Sequence, residues 1–120
     1  MKTRIAINGF GRIGRNLFRL LLNHPTIEVV AINDIADNKT MAHLVKYDSI
    51  HGVLNHKVSF SEDSISIDDK SFLFFHEREI KNLDWKSLNI DIVIESTGKF
   101  KTFEEINQHI LAGAKKVILS

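Results

Sequence analysis

The chain has 120 residues, of which 43% are hydrophobic and 26% are charged, as is ordinary for one soluble globular domain with a modest core. The net charge of +1 gives no electrostatic reason to expect a nucleic acid or an acidic membrane as a partner. No apolar run reaches the ~18–20 residues of a membrane span, and no signal-peptide pattern precedes the first strand, so a cytoplasmic location is the expectation. The absence of cysteine excludes disulfides, thiolate metal sites and thiol catalysis within these residues.

The beginning of the chain carries a glycine pattern between a strand and a helix. The short apolar strand Ile5–Ile7 runs into Gly-x-Gly-x-x-Gly, and a helix over about residues 11–23 follows. In such a turn Gly9 permits the sharp bend, Gly11 lets the backbone approach a pyrophosphate, and Gly14 lets the helix pack closely on the sheet. Glycine triplets also occur in ordinary turns, but the flanking strand and helix favour a dinucleotide site. The predicted buried stripe of the helix consists of Ile13, Leu17, Leu20 and Leu21.

A second apolar strand ends just before an acidic residue. Ile27–Ile32 is nearly continuous in β-branched residues, which predicts a strand buried on both faces of a parallel sheet. Asp34 follows it, 20 residues after Gly14. One interpretation of Asp34 is a turn or helix-capping acid. The other is a carboxylate that binds the two ribose hydroxyls and repels a 2′-phosphate, which predicts NAD rather than NADP.

The middle of the chain predicts a helix and a small antiparallel insertion. The helix covers about Asn38–Tyr47. Alternation with period two predicts short antiparallel strands around residues 57–70, ending in the core strand Phe72–Phe75. A single helical turn is predicted around Trp85 and Leu88. The residues predicted on the inner side of the helix are Met41, Leu44 and Val45.

The last part of the chain predicts a strand, a helix and a further strand. Ile90–Glu95 is the first strand, and Thr102–Glu105 is a capping box that opens the helix. Gly113 stands where a helix C-terminal glycine belongs, and Val117–Leu119 is the second strand. The predicted buried stripe of the helix is Phe103, Ile106 and Ile110. The fold class is therefore α/β: a doubly wound Rossmann fold with a mostly parallel sheet, forming one dinucleotide-binding domain over residues 1–120.

The six histidines show no convincing metal-ligand spacing, so no metal is predicted. His51 and His56 are five residues apart in a predicted loop without paired acids, which favours surface or hydrogen-bonded loop histidines.

The glycine turn and four later stretches resemble the phosphorylating glyceraldehyde-3-phosphate dehydrogenases. Their order and spacing span the whole chain, which makes the combination much more selective than a dinucleotide fingerprint alone. The matching stretches are Asn8–Arg15, Ala31–Asp34, Lys46–Gly52, Glu95–Phe100 and Ala112–Ile118.

The resemblance implies a role for individual residues. Arg12 and Ile13 would lie against the NAD pyrophosphate, and Asn33 would join Asp34 on the adenosine side. Arg78 and Phe100 would lie near the adenine, although Arg78 could equally be a solvated charge. The complete set of implied cofactor-binding residues is Asn8, Gly9, Phe10, Gly11, Arg12, Ile13, Asn33, Asp34, Arg78, Ser96, Thr97, Gly98, Phe100 and Ser120.

The resemblance also implies an activity that these residues lack the means to perform. Enzymes of this family oxidise glyceraldehyde 3-phosphate with NAD and inorganic phosphate to 1,3-bisphosphoglycerate, in glycolysis or gluconeogenesis, through a cysteine nucleophile. Because the chain contains no cysteine, we expect the truncated N-terminal NAD-binding segment of a homotetrameric enzyme, without its catalytic domain, without catalytic residues and inactive alone. Two alternatives stay open: the NAD-binding half of an erythrose-4-phosphate dehydrogenase, and a stand-alone nucleotide-binding module.

Overall fold

The computed structural model of the chain describes residues 2–47 and 57–120. Strands and helices alternate through these ranges. No helix in them is long and apolar enough to cross a lipid bilayer. In chain order the elements are β1 (Thr3–Asn8), α1 (Arg12–Leu21), β2 (Ile27–Asn33), α2 (Asn38–Tyr47), β3 (Val58–Phe60), β4 (Ser64–Ile67), β5 (Lys70–Phe75), a 3-10 turn (Ile80–Asn82), β6 (Ile92–Glu95), α3 (Phe103–Leu111) and β7 (Lys116–Leu119).

The strands form one seven-stranded sheet in the order β3-β4-β5-β2-β1-β6-β7. The strand β1 lies near the middle, parallel to β2 on one side and to β6 on the other. The strand β5 pairs in parallel with β2 and antiparallel with β4, so it joins the small antiparallel portion to the parallel sheet. The predicted fold class is thus confirmed. Because β1, β2, β5 and β6 run in the same direction, their carboxyl ends meet at one edge of the sheet.

Both faces of the central parallel strands β1 and β6 are largely buried, because their apolar side chains alternate between two hydrophobic clusters, whereas the edge strand β7 is mostly exposed. Ile5 and Ile7 of β1 face one cluster, whereas Ala6 faces the other. Phe10 and Phe18 pack edge to face in the first cluster, with ring centroids 5.6 Å apart. The run at residues 72–75 is a core strand as predicted, with Phe72 and Phe74 buried.

The predicted buried stripe of α1 is wrong at two of its positions. Ile13 is 56% exposed and Leu20 is 71% exposed, whereas Gly14 and Phe18 are buried. The physical reason is the approach of the helix to the sheet at Gly14, where an added Cβ would overlap the carbonyl oxygen of Gly9. The face that carries Gly14 and Phe18 therefore has to turn inward. Leu17 and Leu21, which lie beside this face, pack partly buried against the core.

The helix α3 begins as predicted and packs differently from the prediction. The hydroxyl of Thr102 accepts a hydrogen bond from the backbone N–H of Glu105, whose carboxylate accepts one from the N–H of Thr102, which confirms the capping box. However, Phe103 is 81% exposed and Ile110 is 39% exposed, whereas His109 is fully buried. The helix packs through a polar contact of His109, which periodicity of apolar residues could not indicate. The helix stops near Gly113, whose φ of +119° is one that glycine adopts without strain.

The predicted helical turn around Trp85 and Leu88 is wrong. The 3-10 turn lies earlier, at Ile80–Asn82, and residues 85–89 form a hydrogen-bonded turn in which the N–H of Ile90 donates to the carbonyl of Trp85 at 3.1 Å. Asn89, at a φ of +53°, reverses the chain into β6 instead of continuing a helix. For α2 the predicted range is confirmed, with Met41 buried. The side chain of Val45, the two histidines His51 and His56, and the part of the Lys46–Gly52 stretch from residue 48 onward lie outside the described residues.

Candidate functional site

A cavity of about 460 Å³ opens at the carboxyl ends of the parallel strands. It lies between the segments that follow β1, β2, β5 and β6, which is where open α/β sheets bind their ligands. Its volume falls in the usual range of ligand pockets. The lining residues are Asn8, Gly9, Gly11, Asn33, Asp34, Ile35, Glu77, Arg78, Ile80, Ser96, Thr97, Lys99 and Phe100.

The glycine turn forms one wall of this cavity. Gly9 has a φ of +98°, and a Cβ added there would lie 2.7 Å from the backbone nitrogen of Thr97, so the turn packs directly on the segment after β6. A Cβ at Gly14 would overlap the Gly9 carbonyl oxygen. A Cβ at Gly11, in contrast, would meet nothing within 4 Å. Gly9 and Gly14 are therefore required by the packing of the protein itself, whereas Gly11 leaves open space on the cavity side.

The beginning of α1 offers uncapped backbone donors beside Gly11. Gly11 is the N-cap residue, no side chain caps the helix, and its first turn carries no acidic residue. The first N–H groups of a helix have no partner within it and attract negative charge, which the helix dipole reinforces. This wall of the cavity is therefore suited to a diphosphate.

Asp34 lies directly beyond the end of β2 and is held in place by backbone donors. Its Oδ2 accepts a hydrogen bond of 2.7 Å from the N–H of Phe10, and its Oδ1 accepts one of 3.0 Å from the N–H of Ala36. Each carboxylate oxygen can accept a second hydrogen bond, so both remain able to bind hydroxyls. The carboxylate therefore connects the glycine turn to β2 and presents a fixed negative charge to the cavity.

The floor of the cavity rests on a buried carboxylate. Glu95, the last residue of β6, is fully buried. Its Oε1 accepts from Asn8 Nδ2 at 2.7 Å and from His109 Nε2 at 2.8 Å, and its Oε2 accepts from the hydroxyl and N–H of Thr97 at 2.6 and 3.0 Å. Burial by itself raises the pKa of Glu95, but the hydrogen bonds from His109, Thr97 and Asn8 outweigh burial and hold that pKa below its usual value. The carboxyl group is thus ionised and saturated with donors.

A pair of asparagines extends this hydrogen bonding to the opposite wall. Asn33 Nδ2 donates to Asn8 Oδ1 at 2.8 Å and to the carbonyl of Glu77 at 2.9 Å, and the N–H of Glu77 donates back to Asn33 Oδ1 at 2.8 Å. Asn8 and Asn33 are both buried at the ends of their strands. They therefore fix the backbone of the segment that carries Arg78.

The structure brings together many of the residues that the resemblance implied. Those that line the cavity are Asn8, Gly9, Gly11, Asn33, Asp34, Arg78, Ser96, Thr97 and Phe100. Five others do not line it. Phe10 is buried in the core and contributes its backbone N–H to Asp34, while Arg12 and Ile13 are exposed in the first turn of α1. Gly98 is exposed in the loop after β6, and Ser120 donates its N–H to the carbonyl of Glu95 at 3.1 Å.

Sequence reasoning missed four lining residues: Ile35, Glu77, Ile80 and Lys99. Ile35 follows the predicted residue Asp34 in the sequence, and Lys99 lies between the predicted residues Gly98 and Phe100. Glu77 and Ile80 follow β5, and the signal that could have found them is the run at residues 72–75. Had it been recognised as a parallel neighbour of β2, its carboxyl end would have been expected at this edge of the sheet.

These features fit NAD. The open space at Gly11, the uncapped start of α1 and the fixed carboxylate of Asp34 match a diphosphate followed by a ribose with free hydroxyls. Within residues 2–47 and 57–120, no group of three or more His, Cys, Asp or Glu side chains could hold a metal ion.

Comparison with known proteins agrees with this geometry. Residues 3–103 match the family described as glyceraldehyde 3-phosphate dehydrogenase, NAD binding domain. The chain is 50% identical over 120 residues to the glyceraldehyde-3-phosphate dehydrogenase of Geobacillus stearothermophilus, covering 100% of this chain and 36% of that protein. It is 52% identical over 117 residues to the enzyme of Mycoplasma pneumoniae, covering 98% of this chain and 35% of that protein. It is 51% identical over 119 residues to the Thermotoga maritima enzyme, covering 98% of this chain and 36% of that protein.

The chain thus spans about a third of the length of the curated relatives that it matches. The family match covers most of the chain, from β1 to the first residue of α3. The fold, the cavity at the carboxyl ends of the strands and these similarities agree, and the chain belongs to the NAD-binding domains of the glyceraldehyde-3-phosphate dehydrogenase family.

Proposed function

We propose that this chain is the NAD-binding part of an enzyme that oxidises glyceraldehyde 3-phosphate and phosphorylates the product with inorganic phosphate to 1,3-bisphosphoglycerate. The proposal is supported by identities of 50–52% to enzymes of that name. The 120 residues contain no cysteine, so the nucleophile of the family reaction would come from outside them. We expect the isolated 120 residues to bind NAD and to oxidise no aldehyde. In the whole protein we expect a cytoplasmic homotetramer.

The arrangement around Asp34 carries the assignment of the cofactor half of this function. Its two oxygens each hold one backbone hydrogen bond, so the carboxylate cannot turn away from the cavity without losing both. Facing a ribose, it accepts hydrogen bonds from both hydroxyls. Facing a 2′-phosphate, the carboxylate places its fixed negative charge next to the negative charge of the phosphate, and the two repel each other. Arg78 and Lys99 line the same cavity on long exposed side chains, which can bend toward solvent, so the fixed charge decides the preference for NAD.

The remaining residues of the cavity are assigned by their position. The turn at Gly9 and Gly11 and the start of α1 would hold the diphosphate. Ser96 and Thr97 would line the cofactor crevice, and Ser120 would lie near its nicotinamide half. Phe100 and Arg78 would lie near the adenine. NAD, when bound, supplies the acceptor for the hydride of the aldehyde. The residues of this chain bind and orient it, and they leave the reacting carbonyl to groups outside the chain.

A titration with NAD and NADP tests this assignment. Isothermal titration calorimetry at moderate salt is expected to give tighter binding of NAD than of NADP, and Asp34→Ala is expected to weaken NAD binding by about tenfold or more, since hydrogen bonds to a charged group contribute roughly 1.5–3 kcal/mol. Asp37→Ala is the matched control. Asp37 also accepts a backbone hydrogen bond, from the N–H of Thr40 at 2.8 Å, and lies outside this cavity. Equal affinity for the two nucleotides, or an unchanged affinity in Asp34→Ala, would refute the assignment.

A further inference from the structure

A fully buried glutamate and a fully buried histidine lie beneath the cavity without lining it. Glu95 receives four hydrogen bonds, from one donor on His109, one on Asn8 and two on Thr97. A buried ionised group is tolerated only when its lone pairs are satisfied in this way. Asn8 and Thr97, which line the cavity, supply three of these donors. The fourth comes from α3, outside the cavity.

The hydrogen bonding determines which tautomer His109 adopts. The indole N–H of Trp85 lies 3.0 Å from His109 Nδ1, and an indole nitrogen can only donate. Nδ1 must therefore accept, which leaves the ring proton on Nε2. Nε2 is 2.8 Å from Glu95 Oε1 and donates to it. The contact is thus a hydrogen bond from a neutral imidazole to a carboxylate, and Trp85 fixes its direction.

Two routes lead from Glu95 to the surface of the cavity. The first is direct, because Oε2 accepts hydrogen bonds from the hydroxyl and the N–H of Thr97, which lines the cavity. The second passes through Asn8 to Asn33, whose side-chain amide forms hydrogen bonds with both the carbonyl and the N–H of Glu77. A displacement of the carboxylate would therefore move both walls.

We propose that Glu95 and His109 are positioning residues for the NAD cavity, with His109 holding the carboxylate that sets the spacing between the Thr97 loop and the Asn8–Asn33–Glu77 wall. This inference rests on the proposed cofactor site and adds to it two residues that do not touch the cofactor. It requires the Nε2 donor of His109. It does not require the Nδ1 acceptor, which faces Trp85 and away from the cavity.

Two variants of His109 separate these two nitrogens. His109→Gln carries an amide N–H at about the distance of Nε2, so it can still donate to Glu95 while Trp85 loses its acceptor. His109→Asn carries an amide oxygen at about the distance of Nδ1, so it can still accept from Trp85 while Glu95 loses its donor. Each variant removes one buried hydrogen bond, and we expect the larger loss of thermal stability from His109→Asn, because the bond that it loses is to a charged group. Trp85 is the only tryptophan in the chain, so its single indole N–H signal in a 1H–15N spectrum reports which bond survives.

The measured quantity is the affinity of the 120-residue chain for NAD, by calorimetry. We expect His109→Asn to bind NAD about tenfold more weakly than the wild type, and His109→Gln to remain within about threefold, which corresponds to the loss of roughly one hydrogen bond to a charged group in the first variant only. Well below both melting temperatures the chain is folded in either variant, so a purely structural role predicts the same affinity in both. Equal weakening in both variants, or undiminished affinity in His109→Asn, would overturn the proposal.

A second measurement needs no NAD. Amide hydrogen exchange at Thr97 in the ligand-free chain reports its bond to Glu95, and we expect faster exchange in His109→Asn than in His109→Gln. If the wild type bound no NAD, the proposed function would fail, whereas this comparison would still decide the positioning role. Should His109→Asn not fold, Glu95→Gln keeps the shape of the side chain and removes its charge. Faster exchange in that variant at the N–H of Glu77, which is bonded to Asn33 and not to Glu95, supports the positioning role, and unchanged exchange contradicts it.

Discussion

Substitution of Gly11 and of Gly14 by alanine should separate cofactor binding from folding, although the two positions are three residues apart. At Gly11 the added methyl group meets nothing within 4 Å of protein. The backbone there has φ −76° and ψ −162°, which any residue adopts. At Gly14 the methyl group overlaps the carbonyl oxygen of Gly9 and lies 3.2 Å from Ile7 Cγ2. The first change therefore alters only the space in the cavity, and the second displaces the helix from the sheet.

The expected magnitudes follow from these contacts. For Gly11→Ala, a cost of about 0.5–1 kcal/mol at the N-cap is offset by the lower entropy of the unfolded chain, so the free energy of unfolding should change by less than about 0.5 kcal/mol. Its methyl group occupies the approach to the uncapped N–H groups of α1. Loss of one charge-assisted hydrogen bond to a phosphate then weakens NAD binding by about tenfold or more. For Gly14→Ala, about 1–3 kcal/mol of overpacking exceeds the ~1 kcal/mol gain in helix propensity.

Urea unfolding and NAD calorimetry on both variants measure the two effects. We expect Gly11→Ala to keep the wild-type unfolding midpoint and lose affinity, and Gly14→Ala to show a lower midpoint. Saturating NAD should raise the midpoint of the wild type by more than that of Gly11→Ala, because binding to the folded state alone stabilises it. If Gly11→Ala bound NAD as tightly as the wild type, the assignment of the diphosphate to this wall would be refuted.

Two further changes test the N-terminal cap of α3 and the buried carboxylate of Glu95. Thr102→Ala removes the capping hydroxyl and should cost about 1 kcal/mol, seen as a melting temperature lower by several degrees, whereas Thr102→Ser should restore most of it. The pKa of Glu95 is held below its usual value, mainly because the hydrogen bonds of its carboxylate outweigh the effect of burial, so the stability that it contributes is present above about pH 4.5 and is lost as the pH falls through the lowered pKa. In thermal melts Glu95→Gln should be less stable than the wild type at pH 7, and the difference should shrink in acid as Glu95 of the wild type takes up a proton. Glu104 is exposed, so Glu104→Gln is the control, and a Glu95→Gln deficit that stays constant down to the acid limit of folding would contradict the linkage.

The parts of the fold that follow from local rules could be predicted. The turn from β1 into α1 is determined by Gly9 and Gly14. Glycine is required at the first position by its φ of +98° and at the second by direct contact with the carbonyl oxygen of Gly9. The strand that ends before Asp34 is apolar at every position from Val29 to Ile32, as burial on both faces requires. The capping box at Thr102 uses two residues that are close in the sequence. In each case the determining contact lies within a few residues or within one element.

The inward faces of α1 and α3 could not be predicted from apolar spacing. The helix α1 carries leucines or other apolar residues on more than one side, so several stripes satisfy the helical period. The deciding contact is Gly14 against the turn. A glycine in a helix interior was the available signal, since it marks the side of closest approach. In α3 the deciding residue is His109, which a search for apolar stripes excludes.

The hydrogen bonding under the cavity could not be predicted either, for a different reason. Asn8, Asn33 and Glu95 are each recognisable as polar residues at a strand end. Their pairing depends on which strands become neighbours, and β6 joins β1 from a position 87 residues later in the chain. The contact between Trp85 and His109 likewise spans 24 residues of turn, strand and helix.

The position of β1 between β2 and β6 has a consequence for folding. The first strand finds one neighbour within some 25 residues, but the other only after most of the chain has been made and collapsed, and loops of that length close late and slowly. Until β6 pairs with β1, Asn8 Nδ2 lacks its acceptor Glu95, and the wall that contains Thr97 is absent. A chain that has paired only β1, β2 and β5 therefore has the glycine turn but no cavity. We expect NAD to bind only after this last pairing. Its stabilising effect would therefore fall on the contacts with the largest sequence separation.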